Sequence, residues 1–136
     1  MKKLIAMSLG LSFWVASYPL VAADFDGSKP LLCATIEAIE CGPGDECLEG
    51  TAEGINAPQF FRIHFKKKTI SATKENGEDQ STGIRTMERV DGMLVMQGIE
   101  AGRAWSLVIS EYTGKMSVSV AGDREGFVLF GACTPL

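Results

Sequence analysis

The sequence predicts a mainly β, antiparallel domain: an up-and-down meander of about seven strands, curled or closed into a small barrel, with a short N-terminal helix packed on it and disulfide staples. Three observations carry this expectation. From Phe60 onward apolar and polar side chains alternate in short runs, turn formers separate those runs at hairpin spacing, and four cysteines stand three near the front and one near the end.

The first element is a leader. Met1-Lys2-Lys3 is followed by an apolar run from Leu4 to Ala16, too short to cross a bilayer as a helix, then by Pro19 and the small residues of Val21-Ala22-Ala23. This predicts a cleaved secretory signal over 1–23 and a single β-rich domain over 24–136, exported to the periplasm or secreted. No cysteine follows the expected cut, so no lipid anchor and no stable membrane anchor is expected once the leader is removed.

Next comes "SKPLLCATIEAIECG". Ser28 can cap a helix, Pro30 suits its first turn, Leu32, Ile36 and Ile39 can share a face, and Gly42 stands just past the end. The helix is the expected reading over 30–41. Alternation through Leu32, Ala34, Ile36 and Ala38 leaves a strand open for the same residues. Residues 48–59, with two glycines and Pro58, suggest a loop or a short irregular strand.

The strands then follow in order. "FFRIHF" sets Phe61, Ile63 and Phe65 on one face and Arg62, His64 and Lys66 on the other. A turn at Lys67-Lys68 would pair Phe65 with Ile70 and Ile63 with Ala72, keeping every apolar residue on one side. The polar residues 74–83 predict an exposed loop. "IRTMERV" and "MLVMQGI" flank Asp91-Gly92, the strongest hairpin signal in the chain; this register meets Val90 with Met93, Glu88 with Val95 and Met87 with Met96. Trp105, Leu107 and Ile109 alternate with small residues, as Met116, Val118 and Val120 do with serines, and Gly114 closes the loop between them. "GFVLFGAC" follows the "GDRE" turn as a continuous apolar run, the pattern of a strand covered on both faces.

Four cysteines in a small exported domain predict two disulfides. A helix from Cys33 to Cys41 would separate them by about 12 Å. Disulfide Cα atoms seldom lie more than about 7 Å apart. That leaves Cys41–Cys47 with Cys33–Cys133, or Cys33–Cys47 with Cys41–Cys133. The first is preferred because Gly42-Pro43-Gly44 can reverse the chain inside the short loop. Either way Cys133 ties the last strand to the amino-terminal segment. The "ECGPGDEC" stretch is therefore read as a staple, since its spacing matches no Cys-x-x-Cys redox motif and oxidation leaves no thiolates for zinc. Glu40, Asp45, Glu46, Glu49 and Glu53 could offer oxygens to calcium, but not at EF-hand spacing.

The formal net charge is −4, and losing Lys2 and Lys3 with the leader makes the remainder more acidic. Nucleic acid and anionic lipid are not expected partners. The acids concentrate early, with Asp24, Asp26, Glu37, Glu40, Asp45, Glu46, Glu49 and Glu53 set against Lys29 alone, which predicts an acidic patch. The single histidine, His64, falls beside Arg62 and Lys66 on the face away from the core, and no Gly-x-Ser-x-Gly or phosphate-binding glycine loop is present. No catalytic constellation, no resident cofactor and no metal site is expected, and the protein is not expected to be an enzyme.

The segments "PQFFRIHFKKKTISAT" and "GRAWSLVIS...TGKMSVSVAGD...GFVLFGACTPL" resemble small, uncharacterised exported proteins of Gram-negative bacteria, a resemblance that covers most of 24–136 and brings no activity with it. In architecture alone, a small periplasmic barrel is similar to lipocalin-like binders and to periplasmic lysozyme inhibitors. The expected function is a non-enzymatic binding or interaction module for a small ligand or a protein. The alternative is an inhibitor of a basic secreted enzyme such as a lysozyme, steered by the acidic amino end.

Overall fold

The structure, a computed structural model, describes residues 24–44, 46–73 and 77–136; the predicted leader lies outside the described residues. The described residues form nine strands: β1 Leu31–Cys41, β2 Leu48–Gly50, β3 Phe60–His64, β4 Thr69–Thr73, β5 Asp79–Val90, β6 Met93–Glu100, β7 Arg103–Ser110, β8 Lys115–Ala121 and β9 Gly126–Pro135. From β3 onward each strand pairs antiparallel with the next, and β1 closes the ring between β3 and β9. The product is a closed antiparallel barrel of eight strands, with β2 added beside the far half of β1. Seven strands follow residue 59, as the alternation predicts.

The N-terminal helix does not form: residues 31–41 are β1. Leu31, Cys33 and Thr35 point inward and are buried; a bulge between Thr35 and Glu37 then leaves both Ile36 and Glu37 outward and makes Ala38 the next buried residue. As a strand this segment hydrogen-bonds on both edges and removes the open edges that the meander would otherwise expose. A helix could offer the sheet only an apolar stripe, so pairing with β9 and β3 overrides the local helix signals.

Three more expectations change in detail. The β3–β4 turn spans Phe65–Lys68, with Lys68 at φ 50° and its N–H donating to the Phe65 carbonyl at 3.1 Å, so Ile63 pairs with Ile70 rather than Ala72. A slip of two residues preserves the faces, which is why Phe61, Ile63 and Phe65 remain buried. Residues 79–83 are strand rather than loop, pairing with β4 from Thr73 opposite Asp79 to Thr69 opposite Gly83. The β9 run is covered on its inner face only: Phe127, Leu129 and Cys133 are buried, while Phe130 is 42% exposed.

The Asp91-Gly92 hairpin has the predicted register, and both turn residues adopt positive φ, as a two-residue primed turn requires. Disulfides join Cys33 to Cys133, opposite one another on β1 and β9, and Cys41 to Cys47 across the turn that leads into β2. Two such bonds indicate an oxidising, extracellular-type environment.

Buried side chains fill one half of the barrel: Leu31, Cys33, Ile63, Phe65, Leu94, Met96, Ile109, Met116 and Cys133 form a continuous core. The segment before β1 stoppers that end. The Phe25 ring packs on the core beside Gly114, and Gly27 sits against the side chains of Phe65 and Leu94. An Asx turn holds the stopper, with the Ser28 N–H donating to Asp26 Oδ1 at 2.9 Å.

Candidate functional site

The other end of the barrel is open. Above Leu107 the interior is not filled, leaving a cavity of about 230 Å³ walled by Phe61, Ile70, Ala72, Trp105, Val118, Val120, Phe127 and Leu129. These are inward positions of β3, β4, β7, β8 and β9, so the alternation that builds the core also builds an apolar wall. Around the mouth stand Asn56, Gln80, Thr82, Glu100 and Arg103.

Trp105 is the largest part of the wall, and its neighbours fix it. It pairs with Gly98 across β6 and β7, and a Cβ on Gly98 would lie 2.2 Å from the indole Cζ2. Only a hydrogen at that position lets the ring lie flat on the adjacent strand. The indole Nε1–H donates to Thr82 Oγ1 at 3.3 Å, and that hydroxyl donates in turn to the Ile99 carbonyl at 3.5 Å. Trp105 is only 8% exposed yet lines the cavity, so its solvent-side face is the cavity itself.

One side of the mouth is a strap, residues 51–59. It turns through a single 3₁₀ turn, Glu53–Ile55, with Asn56 in the left-handed region and the Ala57 N–H bonded to the Ala52 carbonyl at 2.8 Å. Buried Thr35 fastens its far end: the Thr35 hydroxyl donates to the Pro58 carbonyl at 3.3 Å and the Thr35 N–H to the Gln59 carbonyl at 2.8 Å. A threonine facing inward from β1 is thus satisfied by the strap rather than by the sheet.

The charged residues of the mouth are unevenly paired. Arg103 and Glu100 are cross-strand partners in register, yet Arg103 Nε bonds Glu125 Oε1 at 2.7 Å, and its guanidinium carbon lies 6.0 Å from the centre of the Phe127 ring. Glu100, half-buried in the wall, has no side-chain partner among the described residues, and neither has the Gln80 amide. Glu40 on β1, Glu46 on the β1–β2 loop, Glu49 on β2 and Glu53 on the strap lie at this same end, so part of the predicted acidic segment flanks the opening, while Asp24 and Asp26 lie in the stopper at the closed end. The closed end mixes signs. There Arg89 pairs with the buried Glu111, which draws the Arg89 guanidinium pKa upward, and the Lys66 to Lys68 run forms the β3–β4 turn.

The residues singled out from sequence fall elsewhere. His64 is half-buried on the outer face of β3 and does not line the cavity. The cysteines are all in disulfides. Of the oxygens considered for calcium, Asp45 lies outside the described residues, and no cluster of three or more His, Cys, Asp or Glu with metal-holding geometry occurs among the described ones. The mouth residues Gln80, Thr82, Glu100 and Arg103 carried no motif in the sequence. For Glu100 and Arg103 the one signal was a polar side chain at inward parity on an otherwise apolar strand; Gln80 and Thr82 lie in a polar run that gave none. Compared with known proteins, the chain matches no family model and no curated relative.

Proposed function

We propose that the protein is a non-enzymatic binding module, acting in the periplasm or outside the cell, that holds a small, mainly apolar ligand in the open end of its barrel. The single observation that supports this is the cavity: an apolar space with a few polar groups at its mouth, closed below by the core and held open by a pinned tryptophan and a fastened strap. Its 230 Å³ leaves room for a ligand of at least about eight non-hydrogen atoms, taking about 30 Å³ as the share of one water. Burying a methylene is worth about 0.8 kcal/mol, so an eight-carbon chain gains about 6.4 kcal/mol, roughly 20 µM before association costs, and should bind in the sub-millimolar to millimolar range after them.

The test is titration of the full chain carrying Trp14→Phe, so that Trp105 alone reports, with 1-octanol. A saturable change in emission is expected, and Ala72→Phe, which fills the wall, should weaken it roughly tenfold or more. The absence of any saturable response up to the solubility limit sinks this reading.

A second reading draws on the acidic residues beside the mouth: inhibition of a basic secreted enzyme such as a lysozyme, with salt-sensitive association. Unchanged lysozyme rates at equimolar protein remove it.

A further inference from the structure

We infer that the cavity selects ligands with a cationic or strongly hydrogen-bond-donating head, specifically short alkylammonium-type amphiphiles, and that Glu100 is the residue that recognises the head. This rests on the binding role proposed above and adds the ligand's chemistry.

The inference comes from where the charges of the mouth are spent. Glu100 occupies the last inward position of β6, its side chain forming part of the cavity wall. Its cross-strand neighbour Arg103 would ordinarily neutralise it, opposite charges being favourable partners across an antiparallel pair. Arg103 is instead drawn to the β8–β9 turn, where Glu125 takes its Nε and Phe127 lies beneath the guanidinium. That turn is itself closed by the Gly122 N–H donating to the Glu125 carbonyl at 2.9 Å, which fixes the residue that captures the arginine. Glu100 is left half-buried beside an apolar space, without a side-chain partner among the described residues.

A carboxylate in that position favours one kind of occupant. An anionic head would face its charge directly, with Arg103 already engaged. A neutral apolar molecule would fill the space but leave the carboxylate short of donors. An ammonium or donor head placed at the mouth, with its chain running down between Trp105, Val118 and Leu129, satisfies both Glu100 and the apolar wall. Gln80, also on the wall and without a side-chain partner among the described residues, adds a carbonyl acceptor from the neighbouring strand β5. The acidic residues beside the opening raise the local concentration of cations and disfavour anions on approach.

The experiment measures dissociation constants by calorimetry for three probes of equal chain length, n-octylammonium, 1-octanol and octanoate, against the full chain and against Glu100→Gln. Octylammonium is expected to bind at least roughly tenfold more tightly than octanoate, the size of one charge-assisted hydrogen bond. In Glu100→Gln that preference should collapse while octanol still binds saturably, which also shows that the variant is folded and its cavity intact. Equal binding of the three probes, tighter binding of octanoate, or a preference that survives in Glu100→Gln overturns the inference while leaving the cavity's role standing. Failure of octanol itself to bind overturns both.

Discussion

At the scale of single residues, the seating of Trp105 in the cavity wall depends on a glycine and a threonine. Gly98 lets the indole of Trp105 rest on the neighbouring strand, and Thr82 receives its N–H. Gly98→Ala should therefore push the ring out of the wall. The expected outcome is a loss of about 1–3 kcal/mol in urea denaturation, the usual cost of overpacking, with a red shift of Trp105 emission. An unchanged spectrum would show that the ring does not depend on the glycine. Neither residue was legible as functional. Gly98 reads from sequence as an ordinary strand glycine, and Thr82 sits in a polar run that reads as a loop. Both acquire their roles from contacts between β5, β6 and β7 that sequence spacing alone does not fix.

Among the elements, the stopper and β1 carry most of what the sequence left undecided. The Ser28 side chain and then its backbone N–H, with Arg89 at longer range, hold the Asp26 carboxyl below the usual aspartate range. A carboxyl whose pKa is lowered by folding stabilises the fold above its unfolded value, and that contribution disappears as pH falls through the folded one. Asp26→Asn should accordingly be less stable than the parent at neutral pH, and the difference should close on acidification below about pH 4. Parallel stability curves from pH 7 to pH 2 would refute the link. In β1 the same eleven residues satisfy a helix template and a strand template. The stretch ends as a strand because its inward residues meet the core on one face while both backbone edges find partners. The strands after Phe60 were easier to read, since each lies next to its sequence neighbour and is joined to it by a short connection.

For the whole molecule, closure is the governing event, and the Cys33–Cys133 bridge sits on the seam where β1 meets β9. It spans a sequence separation of 100, against 6 for Cys41–Cys47. On chain-entropy grounds these separations correspond to about 4.7 and about 2 kcal/mol. Replacing Cys33 and Cys133 by alanine should thus cost clearly more in denaturant than replacing Cys41 and Cys47, and should open the seam first in amide exchange on β1 and β9. Equal losses would mean that the barrel closes without help from the bridge. The sequence by itself determined the mainly β class, the inward and outward faces of most strands after Phe60, the Asp91-Gly92 hairpin with its register, and the concentration of acids in one segment, because each follows from local alternation or turn chemistry. Only the tertiary structure decided that β1 completes a ring of eight strands, that the interior is filled at one end and hollow at the other, and that Arg103 turns to Glu125 and leaves Glu100 facing the hollow. Those outcomes depend on which distant side chains meet once the ring is closed.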